Sequence, residues 1–151
     1  INGPEGIRIE VFGDPAIPTA VRMDHIHFYP VDIPAMQAWY AMTFGGVVGR
    51  RAQVARPGWI DTNEYPGVIN FSFSSGMMPL APTKGRGLDH IGFDVRNLEA
   101  FVKTLEAKGI KLDAPIRQLP DMKTKIAFLT DPWGTYIELT ENLAPSSTGS
   151  R

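Results

Sequence analysis

Gly87-Leu88-Asp89-His90-Ile91-Gly92-Phe93-Asp94-Val95 reads as a strand that carries one histidine. The stretch Met23-Asp24-His25-Ile26-His27-Phe28-Tyr29 repeats its centre. Asp-His-Ile-x-Phe occurs twice, with the two leading histidines 65 positions apart (90 − 25). Self-similarity at such a spacing implies two copies of one supersecondary unit.

The residues after each copy follow the same order. In the first unit, residues 21–29 form a strand, and Asp32 caps a helix that tolerates Pro34 in its first turn. Met36, Trp39, Tyr40 and Met42 to Phe44 give that helix its apolar stripe, and Gly45-Gly46 ends it. Residues 47–55 form a strand, residues 60–63 a short third strand after the Pro57-Gly58-Trp59 turn, and residues 68–73 a fourth. In the second unit, residues 88–95 form a strand and Asn97 caps a helix that buries Leu98, Phe101, Val102 and Leu105. Residues 111–119 are extended, and 125–129 and 135–140 are strands, the last two separated by Asp131-Pro132-Trp133-Gly134. The order is β-α-β-β-β twice. The expected class is α+β: two βαβββ modules paired into a curved, partly closed mixed β-barrel with the helices outside, plus an extra N-terminal strand.

That extra strand comes from a second echo. Pro4-Glu5-Gly6-Ile7-Arg8-Ile9-Glu10-Val11 and Pro132-Trp133-Gly134-Thr135-Tyr136-Ile137-Glu138-Leu139 share Pro-x-Gly-x-x-Ile-Glu-aliphatic. Residues 1–18 therefore read as the terminal strand of an upstream module plus a Pro- and Gly-rich linker. Residues 19–80 are module 1, 81–142 module 2, and 143–151 a loose polar tail. Additional modules N-terminal to this chain follow as an expectation. Glu10 would be the carboxylate of that preceding unit; within this chain it reads as part of an edge or swapped strand, not as a working ligand.

Composition narrows the function classes. Of the 151 residues 43% are apolar and 21% charged, as in a soluble globular protein with a core of its own. Net charge is −1 with no basic block, which disfavours nucleic acid as a partner. No apolar run approaches the roughly 18–20 residues that span a bilayer, so no membrane partner is expected. The absence of cysteine excludes disulfides, thiolate metal sites and cysteine nucleophiles. A soluble, cytoplasmic protein is the default, with an exported form left open because the chain starts at Ile1.

Strand alternation sorts the candidate site. Ile137 and Leu139 take the helix-packed face, which turns Tyr136, Glu138 and Thr140 the other way. In the first module Ile69, Phe71 and Phe73 pack, leaving Val68, Asn70 and Ser72 inward, so Asn70 is expected to be the repeat partner of Glu138. His25 corresponds to His90, and His27 points the same way as His25. If the modules pair about a pseudo-twofold, His25, His90 and Glu138 converge with Asn70. Two imidazoles and one carboxylate suit a divalent metal ion (Fe2+, Mn2+, Zn2+ or Ni2+) with positions open for substrate. The competing reading of each histidine is a hydrogen-bonded pocket residue.

The stretches Asp24-His25-Ile26-His27-Phe28, Leu88-Asp89-His90-Ile91-Gly92-Phe93 and Asp131-Pro132-Trp133-Gly134-Thr135-Tyr136-Ile137-Glu138 resemble the vicinal oxygen chelate superfamily. Its members include glyoxalase I, extradiol dioxygenases, fosfomycin and bleomycin resistance proteins and epimerases. The resemblance covers residues 21 to about 142 and implies the fold and the metal cradle rather than one reaction. It places metal ligands at His25, His90 and Glu138. Glyoxalase I has a further glutamate where Asn70 is expected, and a neutral asparagine does not replace it, so the three-ligand pattern of the dioxygenases is closer. On that reading His27 and Tyr136 supply acid–base help, with pocket lining as the alternative. Tyr29 and Trp59 read as packing or cavity wall. Arg50, Arg51 and Arg56 either hold an anionic substrate or are solvated.

The expected function is a metal-dependent enzyme of dioxygenase-like or related metal-chelate chemistry on a small oxygenated substrate. The alternatives are a glyoxalase- or lyase-type metalloenzyme, a metal-free binder of the bleomycin-resistance kind, and a structural module of a longer chain. A homodimer is compatible with modules that pair within or between chains.

Overall fold

In the computed structural model the described residues are 1–3, 6–53, 57–66, 69–120 and 123–143. They contain eight strands and two helices in two compact units. The first unit comprises Ile1 and residues 10–80, and the second residues 2–9 with the chain from Ala81 onward.

In the first unit, β1 (His25–Phe28) leads into α1 (Ile33–Phe44), followed by β2 (Val47–Ala52), β3 (Trp59–Tyr65) and β4 (Ile69–Phe73). Asp32 caps α1 by accepting from the Ala35 N–H at 3.0 Å, and Gly45 ends it in the left-handed conformation (φ 76°). The strand order is β1-β4-β3-β2, with β1 parallel to β4 and the other pairs antiparallel. Met36, Gln37, Tyr40 and Thr43 form the buried side of α1. Phe28, Phe71 and Phe73 are buried beneath the helix, and the Phe71 ring lies 5.4 Å from Phe28, 5.1 Å from Tyr40 and 5.2 Å from Tyr65. Two buried amides also join helix to sheet: Gln37 donates to the Thr62 carbonyl (3.0 Å), and Asn63 donates to the Gln37 carbonyl (2.9 Å).

The second unit repeats the order with β5 (His90–Asp94), α2 (Leu98–Ala107), β6 (Ala114–Gln118), β7 (Lys125–Thr130) and β8 (Tyr136–Glu141). Its order is β5-β8-β7-β6, again with the first strand parallel to the last. Asn97 caps α2 by accepting from Ala100 N–H at 2.9 Å. Leu98, Val102 and Leu105 are its buried residues, and Ile91, Ala127, Leu129, Ile137 and Leu139 are buried on the strands. β6 is an edge strand whose register slips between Ala114 and Arg117, where Pro115 offers no N–H to a ladder.

Each unit is thus a four-stranded mixed sheet with one helix on one face, the α+β βαβββ pattern that the repeat implied. Two details differ. β3 starts at Trp59 and is longer than expected. Residues 7–11, expected as a strand, form no ladder with either sheet; among the described residues the segment makes one antiparallel bridge, Asn2 to Arg8, beside which Gly3 N–H donates to the Ile7 carbonyl (2.7 Å). Ile7, Ile9 and Val11 all remain exposed, so alternation here reports no buried face. Val68 and the tail from residue 144 lie outside the described residues, and so does the end of the expected second strand.

Phe71 is fully buried at the meeting point of three rings. Phe71→Ala is expected to cost about 3–5 kcal/mol, read as a fall in the denaturant midpoint at unchanged m-value.

Candidate metal centre

The face of each sheet opposite its helix carries the residues of chemical interest. Parallel pairing sets His25 beside Asn70 and His27 beside Ser72 in the first unit. In the second it sets His90 beside Tyr136 and Gly92 beside Glu138. Aligning His25 with His90 therefore makes Ser72 the register equivalent of Glu138, and Asn70 that of Tyr136. The expectation that Asn70 is the repeat partner of Glu138 is corrected by two residues. The cause is the period of a strand: a shift of two leaves every apolar residue on the same face, so alternation assigns the face but not the register.

Both repeat histidines are held alike. His25 Nδ1 lies 2.8 Å from Asp24 Oδ2, and His90 Nδ1 lies 2.9 Å from Asp89 Oδ1. An ionised carboxylate only accepts, so Nδ1 carries the proton and Nε2 is the nitrogen left to bind something else. Each Nε2 meets a glutamate. His90 Nε2 is 3.3 Å from Glu138 Oε2, its diagonal neighbour on the same sheet face. His25 Nε2 is 3.4 Å from Glu10 Oε2. Glu10 also approaches His27, whose Nδ1 is 3.9 Å away. His27 is held from its other side by Ser74 Oγ, 3.0 Å from Nε2, and its ring stacks on Tyr29 at 4.6 Å.

The first unit thereby brings together Glu10, His25 and His27, with one ligand-type atom from each, all within 4.8 Å of one another. The reading of Glu10 as part of an edge or swapped strand is corrected: it lies on no strand, and the N-terminal segment delivers it to both histidines of β1. The His25 side chain is 8% exposed and Glu10 28%. His90 is more open at 41%, while Glu138 at 25% is about as exposed as Glu10.

These donor sets fit a divalent ion. The His25–Glu10 and His90–Glu138 separations exceed the usual ~2.9–3.0 Å of an N–H···O bond. They match the roughly 3.3 Å between two ligands on a tetrahedral ion with bonds of about 2.0–2.1 Å, whereas His27 stands farther from Glu10, at 3.9 Å.

Arg51 crosses the first sheet from β2. Its Nη1 donates to Asp24 Oδ2 (3.0 Å) and its Nη2 donates to Ser72 Oγ (3.2 Å), while the same nitrogen lies 3.2 Å from His25 Nδ1. Burial pushes the Asp24 carboxyl up, but hydrogen bonds from His25 and Arg51, with the Arg51 charge, outweigh it and hold it below its usual value. Asp89 is likewise held low, first by the Gly85 backbone N–H and then by His90. Arg50 pairs instead with Asp61 (2.9 Å) at the surface, and Arg56 lies outside the described residues.

Tyr136 stands on the site face of the second sheet. Its ring stacks on Phe128 at 4.9 Å and 11°, and Lys84 Nζ sits 4.3 Å above the ring centroid. His90 packs edge-on to both rings, at 6.3 and 6.4 Å. Trp59 is exposed and Tyr29 partly so.

Sequence reasoning assigned no role to Asp24 or Asp89, and read Arg51 as an anion holder or a solvated side chain rather than as the partner of Asp24. The signal for the two aspartates was present, since Asp precedes His in both copies.

The sequence profile of the Glyoxalase/Bleomycin resistance protein/Dioxygenase superfamily matches residues 22–139, most of the chain. The chain belongs to that superfamily. Among solved structures, a glyoxalase family protein from Enterococcus faecalis is similar at 22% identity and TM-score 0.61, over 80% of this chain and 97% of that one. The oxidase ChaP-H2 is similar at 16% identity and TM-score 0.63, covering 82% and 94%. The fosfomycin resistance protein FosX from Listeria monocytogenes is similar at 12% identity and TM-score 0.57, covering 83% and 94%. At these identities the likeness concerns the fold. No curated protein matches the chain. Among the described residues no helix is long and apolar enough to cross a membrane.

Arg51→Met keeps the length of the side chain and removes its charge. Burial of Asp24 then goes unopposed by its strongest cation, so the Asp24 carboxyl is expected to titrate at higher pH than in the parent protein. Carboxyl carbon chemical shifts followed through acid titration would show it; an unmoved midpoint would mean that His25 alone sets the Asp24 charge.

Proposed function

We propose that this protein is a metal-dependent enzyme of the superfamily, of dioxygenase-like or related metal-chelate type, acting on a small oxygenated substrate. His25, His90 and Glu138 are its protein ligands for a divalent ion of the Fe2+, Mn2+, Zn2+ or Ni2+ group. The observation that supports this most is the shared posture of the two histidines. Each has Nδ1 on an aspartate and Nε2 facing a carboxylate, the arrangement of a ligand whose tautomer is fixed from behind.

When bound, such an ion supplies Lewis acidity, polarising adjacent oxygens of a substrate. The chain's own residues do the rest. Asp24 and Asp89 keep each Nδ1 protonated and each imidazole oriented. Arg51 keeps Asp24 ionised, so that this orientation persists in mildly acidic solution. His27 holds one nitrogen on Ser74 and presents the other toward Glu10, which suits it to hold or pass a proton. The stacked Tyr136 and Phe128 rings offer a flat wall beside His90 for an unsaturated substrate, and the Tyr136 hydroxyl is the second candidate for proton transfer.

Ser72 at the register position of Glu138 favours this reading over the glyoxalase pattern, because β4 supplies no second carboxylate. The partners that follow are a small-molecule substrate, with neither nucleic acid nor membrane. A homodimer remains part of the same reading.

Protein purified without chelator is expected to carry, or take up, about one equivalent of a divalent ion per chain, measured by elemental analysis. His90→Ala and Glu138→Gln are each expected to weaken that binding by a factor of 10² or so, at least as much as the loss of a residue that only orients a ligand. A chain that retains no metal and takes up none would turn the reading toward metal-free binding of small molecules.

A further inference from the structure

The first unit lacks a carboxylate on the strand where the second has one. Ser72 occupies the register position of Glu138, and His27 occupies that of Gly92. In the second unit Gly92 lies beside Glu138, and a Cβ there would stand 4.0 Å from Glu138 Oε2, in ordinary contact. In the first unit that place holds an imidazole. Yet His25 still has a carboxylate at Nε2, at nearly the distance seen in the other unit. Glu10 supplies it, from a segment whose sequence repeats the motif that ends in Glu138.

From this juxtaposition we propose that Glu10 is a protein ligand of the divalent cation bound through His25, with His27 as the neighbouring donor, so that the N-terminal segment completes the ligand set of the first unit. The proposal rests on the metal reading above through His25, and adds to it a carboxylate that neither the repeat strands nor the superfamily match provides. Three features argue for a ligand rather than a simple ion pair. His25 is largely enclosed and has its Nδ1 turned to Asp24 at 2.8 Å, which leaves Nε2 as the nitrogen that faces Glu10. The 3.4 Å separation is long for a charge-assisted hydrogen bond, which runs at ~2.7–2.9 Å. Finally, the same carboxylate oxygen faces both imidazoles, Nε2 of His25 and Nδ1 of His27, as one ligand atom does toward its neighbours around an ion.

The test is cobalt(II) titration of the full chain, followed by visible absorption and by competition with a chelator. It compares the parent with Glu10→Gln, Glu10→His, His90→Ala and Glu138→Gln. Glu10→Gln keeps the shape of a partly exposed side chain and should leave the metal-free melting temperature unchanged. It is expected to weaken cobalt binding at least tenfold and to shift the visible band. Glu10→His can coordinate but cannot pair with a protonated imidazole, so it is expected to recover most of the affinity with a band of its own. Binding within twofold of the parent in Glu10→Gln, alongside loss in His90→Ala or Glu138→Gln, overturns the proposal: Glu10 is then an ion-pair partner only, and the reading of His25, His90 and Glu138 stands. Loss in Glu10→Gln with no change in His90→Ala and Glu138→Gln supports the proposal and removes the second unit from the ligand set. A parent chain that binds no cobalt overturns both.

Discussion

Parallel pairing of the first and last strands of each unit is the constraint on which the rest depends. A βαβββ unit could place its first strand at either edge of the meander formed by the other three. Here the helix crossover carries it to the side of the fourth strand, which is then flanked on both sides and buries its apolar residues completely: Phe71 and Phe73 in one unit, Ile137 and Leu139 in the other. The same pairing brings the Asp-His dipeptide of the first strand against the opposite face of the last. Without it, His90 and Glu138 would have no reason to meet.

The aspartate before each histidine then converts position into chemistry. A neutral imidazole has two tautomers, and only one leaves Nε2 free to bind an ion. Asp24 and Asp89 select that tautomer at hydrogen-bond distance. They are kept charged by different means. Asp24 is partly buried and relies on His25 and Arg51 to overcome the cost of burial, whereas exposed Asp89 draws chiefly on the Gly85 backbone N–H. One sequence repeat thus gives the same histidine posture in a closed setting and in an open one.

Much of this was legible before any coordinates. The element order, the two helix caps at Asp32 and Asn97, the faces of the strands and the prominence of His25, His90 and Glu138 all follow from local pattern, because period and capping are local properties. What was not legible was register. Ile69, Phe71 and Phe73 support equally well an alignment in which Asn70 or Ser72 matches Glu138, since the two differ by one full strand period; hydrogen bonding between β1 and β4 decides it. The N-terminal segment failed for another reason. Ile7, Ile9 and Val11 alternate as a strand would, but strand formation needs an edge to pair with, and sequence carries no local mark of that. The Pro-x-Gly-x-x-Ile-Glu motif did mark Glu10 as a carboxylate of the same kind as Glu138. It did not say which histidine that carboxylate would reach.

The two units are therefore not interchangeable copies, and their differences are linked. Gly92 lies beside Glu138 in the second unit, so the carboxylate meets no side chain on its direct partner. His27 and Ser72 go together because an imidazole in that place needs a small one, and Ser72 is small enough to sit fully buried while taking a hydrogen bond from Arg51. Once β4 has surrendered the carboxylate, His25 must take it from elsewhere in the chain, and Glu10 is where the structure finds it. The exchange leaves the second unit with a half-exposed His90 beside an aromatic pair, and the first with two more enclosed imidazoles and a carboxylate drawn from the N-terminal segment.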